Sequence, residues 1–154
     1  MTEFLNEWFQ GLEKGLAGLN VQEQGSVLGE CGKACSKSFS LGIYKMVREQ
    51  STDTADFFER LKGSIPEIDV FEVEKGKVYE IHYKKCLCDL YVEGLITNGF
   101  LCECSRRSLL YNLTCVFPEK MWKVLLLESI LRGKDRCVLR VLSEEKIDVS
   151  EVTD

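Results

Sequence analysis

The chain has 154 residues, a formal net charge of −5 and a hydrophobic content of 45%, values typical of a single globular domain. Its acidic balance argues against a general nucleic-acid binder, which would carry a basic patch, and against adhesion to an anionic membrane. Residues 1–10 lack the basic start and apolar core of a secretory signal, and no window holds the ~20 apolar residues of a transmembrane helix. We therefore expect a cytoplasmic protein.

Cysteine is the most informative residue type in this sequence. The chain has eight cysteines, and in the cytoplasm we expect free thiols rather than a disulfide framework. Six of them form three close pairs, namely Cys31 with Cys35, Cys86 with Cys88, and Cys102 with Cys104. Such short spacings suit a disulfide within a pair poorly. Bridges between pairs remain open.

The first 64 residues are predicted to be helical. Residues 2–19 carry apolar side chains at helical spacing. We expect this helix to dock its apolar face, which includes Trp8 and Phe9, on the core or on a second subunit, so a homodimer is one assembly that the sequence favours. The polar face is not basic, which disfavours a membrane anchor. A short helix is expected over residues 54–62.

A second helical run over residues 21–49 carries the first cysteine pair. Cys31 and Cys35 lie one turn apart, so both thiols leave the same face of the helix. Three glycines surround them in sequence, at positions Gly25, Gly29 and Gly32. These glycines either let another backbone come close or mark a break where the helix begins.

Residues 68–142 are predicted to form a sheet-containing, cysteine-rich part. Period-two alternation predicts a hairpin around Lys75–Gly76. The remaining elements are a helix after Cys104 capped by Ser105, strands over 121–130 and 136–142 around a turn at 132–135, and an acidic tail over 143–154. The predicted fold is a single α+β domain over residues 1–154. Its N-terminal helices pack on an antiparallel sheet of about four strands, in two hairpins with a helix between them.

The cysteine pairs predict a metal site. Zinc and iron–sulfur clusters both take four thiolates, and zinc is the favoured choice. The ligands come either from Cys86, Cys88, Cys102 and Cys104 alone, or from Cys31 and Cys35 with one of these pairs. The alternative is that the thiols are small, buried apolar groups, an interpretation favoured for Cys115 and Cys137. It fits the pairs less well because charged residues surround them.

Nucleophilic catalysis is the rival use of these thiols. Neighbouring lysine and arginine residues would lower the pKa of a thiol, which makes Cys86 and Cys104 candidate nucleophiles. The sequence has one histidine, His82, which is a candidate partner for such a thiol. A solvated histidine on a strand is the simpler interpretation, and no third group that would orient a cysteine–histidine pair is identifiable.

The stretch LLLESILRGKDRCVLRVL, residues 125–142, resembles the closing hairpin of 4-vinyl-reductase-like small-molecule-binding domains. In those domains a strand ends in a glutamate and a Gly-Asp turn leads to a cysteine and a last apolar strand. The matching residues here are Glu128, Gly133, Asp135 and Cys137. Together with the upstream cysteines and FLCECSRRS, the pattern also resembles the bacterial L-2-amino-thiazoline-4-carboxylic acid hydrolase family. The resemblance covers residues 80–142.

That resemblance implies an α+β domain with a small-molecule pocket and, in some relatives, a zinc site built from cysteines and the strand glutamate. By position it nominates Glu128 and Cys137, with a further ligand from the 86–104 segment. Relatives often carry a cysteine soon after the glutamate. Here those positions are Ser129, Ile130 and Leu131, so the Cys-x-Cys pairs remain the first choice.

Three functions are compatible with these features. The first is a small-molecule-binding domain of the sensor or carrier type, with a cysteine-bound metal beside an apolar pocket. The second is a hydrolase that opens a small cyclic amidine or related C–N bond, with a metal-bound water or a cysteine as nucleophile. It rests on the resemblance alone. The third is a homodimeric interaction protein whose thiols are structural or redox-responsive. We rank the first above the second, and both above the third.

Overall fold

A computed structural model describes residues 2–146, and every element named here belongs to that part of the chain. The helices are α1 (Glu3–Ala17), α2 (Val21–Cys35), α3 (Leu41–Gln50), α4 (Thr54–Ser64), α5 (Asp89–Val92) and α6 (Glu103–Val116). The strands are β1 (Ile68–Glu74), β2 (Val78–Tyr83), β3 (Lys120–Glu128) and β4 (Cys137–Glu145). This order confirms the predicted α+β fold, in which N-terminal helices precede an antiparallel sheet of four strands.

The second helical run is interrupted rather than continuous. A π-helical turn over Ser36–Ser40 separates α2 from α3. The buried Ser36 and the half-buried Ser40 face α6, where the Ser36 hydroxyl lies 2.6 Å from that of Ser108 and Asn112 donates to the Ser40 hydroxyl at 2.9 Å. The wider turn therefore coincides with a polar contact between helices, a kind of interruption that apolar periodicity does not reveal.

The sheet has the strand order β1-β2-β4-β3, and each neighbouring pair is antiparallel. The two predicted hairpins are thus joined through β2 and β4, where Tyr83 pairs with Cys137. Strand β4 continues past its predicted end, because Ser143 is buried and pairs with Trp122. Residues 147–154 of the predicted tail lie outside the described part of the chain.

The core lies between one face of the sheet and the helices α3, α4 and α6. Phe58 of α4 stacks on Tyr79 of β2 with ring centroids 4.1 Å apart. Phe57, which is fully buried, packs edge-on against Phe117 at 5.1 Å. These aromatic side chains each remove a large apolar area from water, which is the main favourable term in folding. The opposite face of the sheet carries charged side chains.

Helix α6 begins earlier than predicted. Asn98 caps a 3-10 turn over Gly99–Cys102, with its side chain accepting from Phe100 N at 3.2 Å, and this turn runs directly into α6. Ser105 therefore lies inside the helix rather than at its cap, and Cys104 lies in the first turn. Among residues 2–146, no helix combines the length and the apolar character that a membrane crossing requires.

Candidate functional site: a cluster of free thiols

Seven of the eight cysteines lie in one region, where α2 crosses α6 beside the segment after β2 and the start of β4. All of them are free thiols. We call this set the thiol cluster, and its members are Cys31, Cys35, Cys86, Cys88, Cys102, Cys104 and Cys137. They come from four separate segments of the chain, so only the tertiary fold brings them together.

The crossing of α2 and α6 is set by a glycine. A Cβ atom placed on Gly32 would lie 2.9 Å from the carbonyl oxygen of Cys104 and 3.0 Å from the amide nitrogen of Ser108. No side chain fits there, and the two backbones therefore approach closely. Cys31 and Cys35, on either side of Gly32 in sequence, are brought next to Cys104. Of the two roles considered for the α2 glycines, Gly32 has the first, close backbone approach.

Cys104 lies at the centre of one half of the cluster. Burial raises the pKa of its thiol to about 12, and the neighbouring thiols of Cys35, Cys31 and Cys88 add to the rise, followed by Cys102. The pKa of Cys35 is raised for the same reasons, by burial first and then by Cys88. A thiolate at any one of these positions would be repelled by a thiolate at another. Cys104 and Cys88 therefore lie where α2 comes close to the segment that follows β2.

The other half of the cluster surrounds Cys137. Its sulfur accepts a hydrogen bond from Ile130 N at 3.3 Å, and the Cys102 sulfur lies 2.8 Å from the Ser129 hydroxyl. Burial raises the pKa of the Cys86 thiol to about 11, with Cys137 among the neighbouring thiols that add to the rise. Sequence reasoning did not identify the Ser129 hydroxyl as the partner of the Cys102 thiol.

Neither Cys-x-Cys pair lies on a regular strand. Cys86 and Cys88 follow β2 in a loop, and Cys88 is the cap of the short helix α5. Cys102 ends the 3-10 turn, while Cys104 belongs to α6. Within residues 2–146, no three histidine, cysteine, aspartate or glutamate side chains lie close enough together to hold a metal ion as they are placed. The thiols lie near one another, but they are not arranged as the ligands of a metal ion.

The cations beside the cysteines are engaged in ion pairs. Lys84 lies 3.6 Å from Asp69, and Lys85 lies 3.7 Å from Glu67.

Arg106 and Arg107 both bind Glu103 in the first turn of α6. Burial acts to raise the pKa of this carboxyl, but the hydrogen bond and charge of Arg106, joined by Arg107, lower it overall. The thiol pKa values of Cys86 and Cys104 accordingly move up rather than down. Such thiols are mostly protonated near neutral pH, which does not favour their use as nucleophiles.

His82 has partners other than a cysteine. Its Nε2 lies 3.0 Å from a carboxylate oxygen of Glu80, and its Nδ1 lies 3.3 Å from Arg136. Its ring packs edge-on against Phe71 with centroids 4.7 Å apart. These contacts place it on the face of the sheet opposite the helices, where a structural role explains it.

Two further cysteine and carboxylate predictions concern single residues. Glu128, which the resemblance nominated as a ligand, ends β3 and is exposed. Cys115 was expected to be buried, and this prediction is wrong because it is exposed. It lies on the outer side of α6, where its thiol raises the pKa of the neighbouring Tyr111 phenol.

Two clefts lie elsewhere on the described part of the chain. One has a volume of about 470 Å³ between α1 and the segment at 94–97, with lining residues that include Asn6, Gln10 and Lys14. The other, of about 440 Å³, lies along β3 beside Arg106 and Arg132. The residues lining these two clefts include no cysteine, so neither is the apolar pocket expected beside the thiols.

No protein-family model matches the chain, and no curated protein matches it. One similar solved structure is trafficking protein particle complex subunit 3 from Naegleria fowleri, covalently bound to palmitic acid. The alignment covers 95% of this chain and 96% of that one, at 15% identity and a TM-score of 0.49. The resemblance to 4-vinyl-reductase-like domains and L-2-amino-thiazoline-4-carboxylic acid hydrolases is wrong: no model of either family matches the chain, and the similar structure is that of a trafficking complex subunit.

Proposed function

We propose that this chain is a metal-binding protein whose thiol cluster takes up a zinc ion through Cys104, Cys88 and Cys35, with Cys31 as the fourth ligand. The observation that carries the proposal is the gathering of free thiols from α2, from the loop after β2 and from α6 around the Gly32 crossing. Thiolates are the preferred ligands of zinc in sites with four protein ligands.

The electrostatics of the cluster support a cation there. Neighbouring thiols add to the raised pKa of Cys104 and of Cys35, because two thiolates placed close together repel each other. A divalent cation among them reverses the sign of that interaction and deprotonates the coordinating thiols. The cluster is therefore poorly suited to holding several bare thiolates and well suited to holding them around a metal.

Assembly of the site requires the thiols to move from the positions described above, which hold no metal-ready group. Cys31 and Cys35 lie one turn apart on α2, on the solvent side of the cluster, and we expect their thiols to turn towards the ion. Tetrahedral zinc places each sulfur about 2.3 Å from the ion. Cys104 and Cys88 are held by α6 and α5 and would form the fixed half of the site.

Metal content measured on the full chain tests the proposal. Protein purified under reducing conditions without chelator is analysed for zinc and iron by mass spectrometry, and we expect about one equivalent of zinc. Cys104→Ser and Cys88→Ser should each lower the zinc content strongly, whereas the matched control Cys115→Ser, outside the cluster on the same helix, should retain it.

Two results would overturn the proposal. One is wild-type protein with less than about a tenth of an equivalent of zinc or iron, since thiolate sites bind zinc too tightly to lose it on washing. The other is full zinc content in the Cys104→Ser variant. Iron at a similar stoichiometry, with the colour of an iron–sulfur cluster, would point instead to the second cofactor considered.

The expected localisation, small-molecule ligand and self-association remain proposals. A reducing cytoplasm, where we expect the chain to act, keeps the thiols available for metal. A small organic ligand beside the metal remains a prediction. The hydrolase alternative rested on the family resemblance, and that support is gone. The exposed Phe4 and Trp8 of α1 favour a second role, association with another copy of this chain.

A further inference from the structure

Helix α1 turns an apolar face away from the rest of the chain. Phe4 is 69% exposed, Trp8 is 53% exposed and Leu12 is 40% exposed. They are spaced four residues apart and follow one side of the helix. Together with the glycines on the same side they form what we call the outer face, namely Phe4, Trp8, Gly11, Leu12 and Gly15. Single exposed apolar side chains are common on protein surfaces, but a contiguous apolar patch often marks an interaction site.

The glycines of the outer face have no explanation inside this chain. A Cβ atom built on Gly11 or Gly15 would meet nothing within 4 Å, and both residues lie inside a regular helix. Glycine is among the poorest helix formers. At about 100° per residue, the two glycines point to the same side as Phe4 and Trp8. They leave two shallow notches beside two protruding aromatic rings.

The inner side of α1 fixes the direction of this face. The buried Glu13 carboxylate accepts from Thr97 N at 2.6 Å and from Asn98 N at 3.2 Å, and Leu16 is also buried. These contacts hold the helix against the segment at 94–98. The outer face is therefore presented on an anchored helix, which lowers the entropy cost of binding a partner.

We propose that two copies of this chain pair their α1 helices antiparallel across a two-fold axis, with each aromatic ring seated on a glycine of the partner. Trp8 then faces Gly11 of the other copy, and Phe4 faces Gly15. The residue numbers of each pair add up to the same value, so one register satisfies both contacts at once. An isologous interface requires this kind of self-complementarity. The proposal rests on the self-association role favoured above and is independent of the metal.

Charge complementarity selects the antiparallel arrangement. Glu3, Glu7 and Lys14 lie along one flank of the outer face, within about 40° around the helix axis. An antiparallel pair related by a two-fold axis keeps this flank on the same side for both helices. The proposed register places Lys14 of each copy between Glu3 and Glu7 of the other. A parallel pair would put the flanks on opposite sides and lose these contacts.

Sedimentation of the full chain at micromolar concentration, in reductant so that no disulfide joins two copies, tests the association. We expect a reversible dimer. Trp8→Ala and the double variant Gly11→Leu with Gly15→Leu should each weaken it about tenfold or more, as expected for loss of a central anchor. Because an added Cβ atom meets nothing within 4 Å at either glycine and both residues are exposed, the double variant should fold normally. Gly42→Leu, at an exposed helical glycine outside α1 with nothing within 4 Å, is the matched control and should leave the dimer unchanged.

Charge exchange tests the register separately. Lys14→Glu and Glu7→Lys should each weaken the dimer, and the two combined in one chain should restore it, because the residues face each other between copies. A wild-type chain that stays monomeric throughout, or a dimer unaffected by the two leucines, would overturn the interface and with it the self-association role. A dimer that needs Trp8 but is not restored by the charge exchange would overturn the antiparallel register alone.

Discussion

Gly32 and Cys104 meet where α2 crosses α6, and there is no room for a methyl group between them. A Cβ atom at Gly32 would lie 2.9 Å from the Cys104 carbonyl oxygen. That oxygen belongs to a helix backbone, which cannot swing aside as a flexible side chain does. The same contact that joins the two helices also brings the thiols of α2 next to Cys104, so packing and candidate function depend on one residue.

Replacing Gly32 with alanine is expected to destabilise the fold by about 1–3 kcal/mol, the usual cost of overpacking. The helices must separate by a few tenths of an ångström, and the thiols of the cluster should become more reactive towards an alkylating reagent. Urea unfolding measures the first effect, and mass spectrometry of alkylated protein measures the second.

Gly42→Ala is the control for that prediction. Gly42 lies in α3 with nothing within 4 Å of an added Cβ atom, so alanine there should stabilise the protein by up to about 1 kcal/mol through helix propensity. Equal stabilisation by Gly32→Ala would show that α2 and α6 are not in close contact.

The Cys104 thiol should make the protein less stable in alkali. Its folded pKa is raised to about 12 by burial and by neighbouring thiols, whereas an unfolded cysteine titrates near 8.5. The stabilisation is complete below the unfolded pKa and is lost as the pH rises towards the folded one. Urea midpoints of metal-free, reduced protein should therefore fall between about pH 8 and 10.5.

Cys104→Ala removes this group and should flatten that alkaline decline. Cys115→Ala is the matched control, since this exposed thiol lies outside the cluster, and it should follow the wild-type curve. An identical pH slope in wild type and Cys104→Ala would contradict the burial of this thiol.

Glu80 should stabilise the protein at neutral pH and lose this effect in acid. Arg140 donates to its carboxylate at 2.9 Å, and His82 lies 3.0 Å away. The hydrogen bond from Arg140, followed by that from His82, lowers the pKa of Glu80. The stabilisation is present above the unfolded value of about 4.3 and is lost as the pH falls through the folded pKa.

Glu80→Gln should lower the free energy of unfolding at pH 7 by about 1–3 kcal/mol, as expected for hydrogen bonds to a charged group. The difference from wild type should shrink as the pH falls below about 4. Thermal melts across this range measure it. Glu59→Gln, at an exposed position on α4, is the control, and a pH-independent difference at Glu80 would refute the assignment.

Glu13 should hold α1 in place. Its carboxylate accepts two backbone N–H groups, from Thr97 and Asn98, and the Thr97 hydroxyl at 3.2 Å. In Glu13→Ala these two partly buried donors lose a charged acceptor, which costs about 1.5–3 kcal/mol, as expected for hydrogen bonds to a charged group. Hydrogen exchange of the amides at 97 and 98 should accelerate, while Glu7→Ala on the exposed side of α1 should not change it.

The fold class was predictable because apolar periodicity depends on local geometry. Alternation around Lys75–Gly76 matched the β1–β2 hairpin, and the helix expected over residues 54–62 matched α4, which Asp53 caps. The start of α6 was not predictable in the same way. Asn98 caps a 3-10 turn that leads into the helix, and so the cap expected at Ser105 was unnecessary.

The exposure of single residues also depended on tertiary packing. Cys115 lies in an apolar stretch of sequence, yet its side of α6 faces outward. The π-helical turn at Ser36–Ser40 coincides with serine contacts to α6, and hydrophobic spacing carries no information about such contacts.

The sequence alone determined that this is an α+β chain rich in free cysteine, with helices before a four-stranded antiparallel sheet, because composition and the periods of helix and strand are local properties. Only the tertiary structure decided which thiols become neighbours, since contacts between distant segments depend on how elements pack. Gly32 allows α2 to reach Cys104, and the pairing of β2 with β4 brings Cys137 alongside the segment that carries Cys86. Burial among those contacts then raises the thiol pKa values that neighbouring cations had been expected to lower.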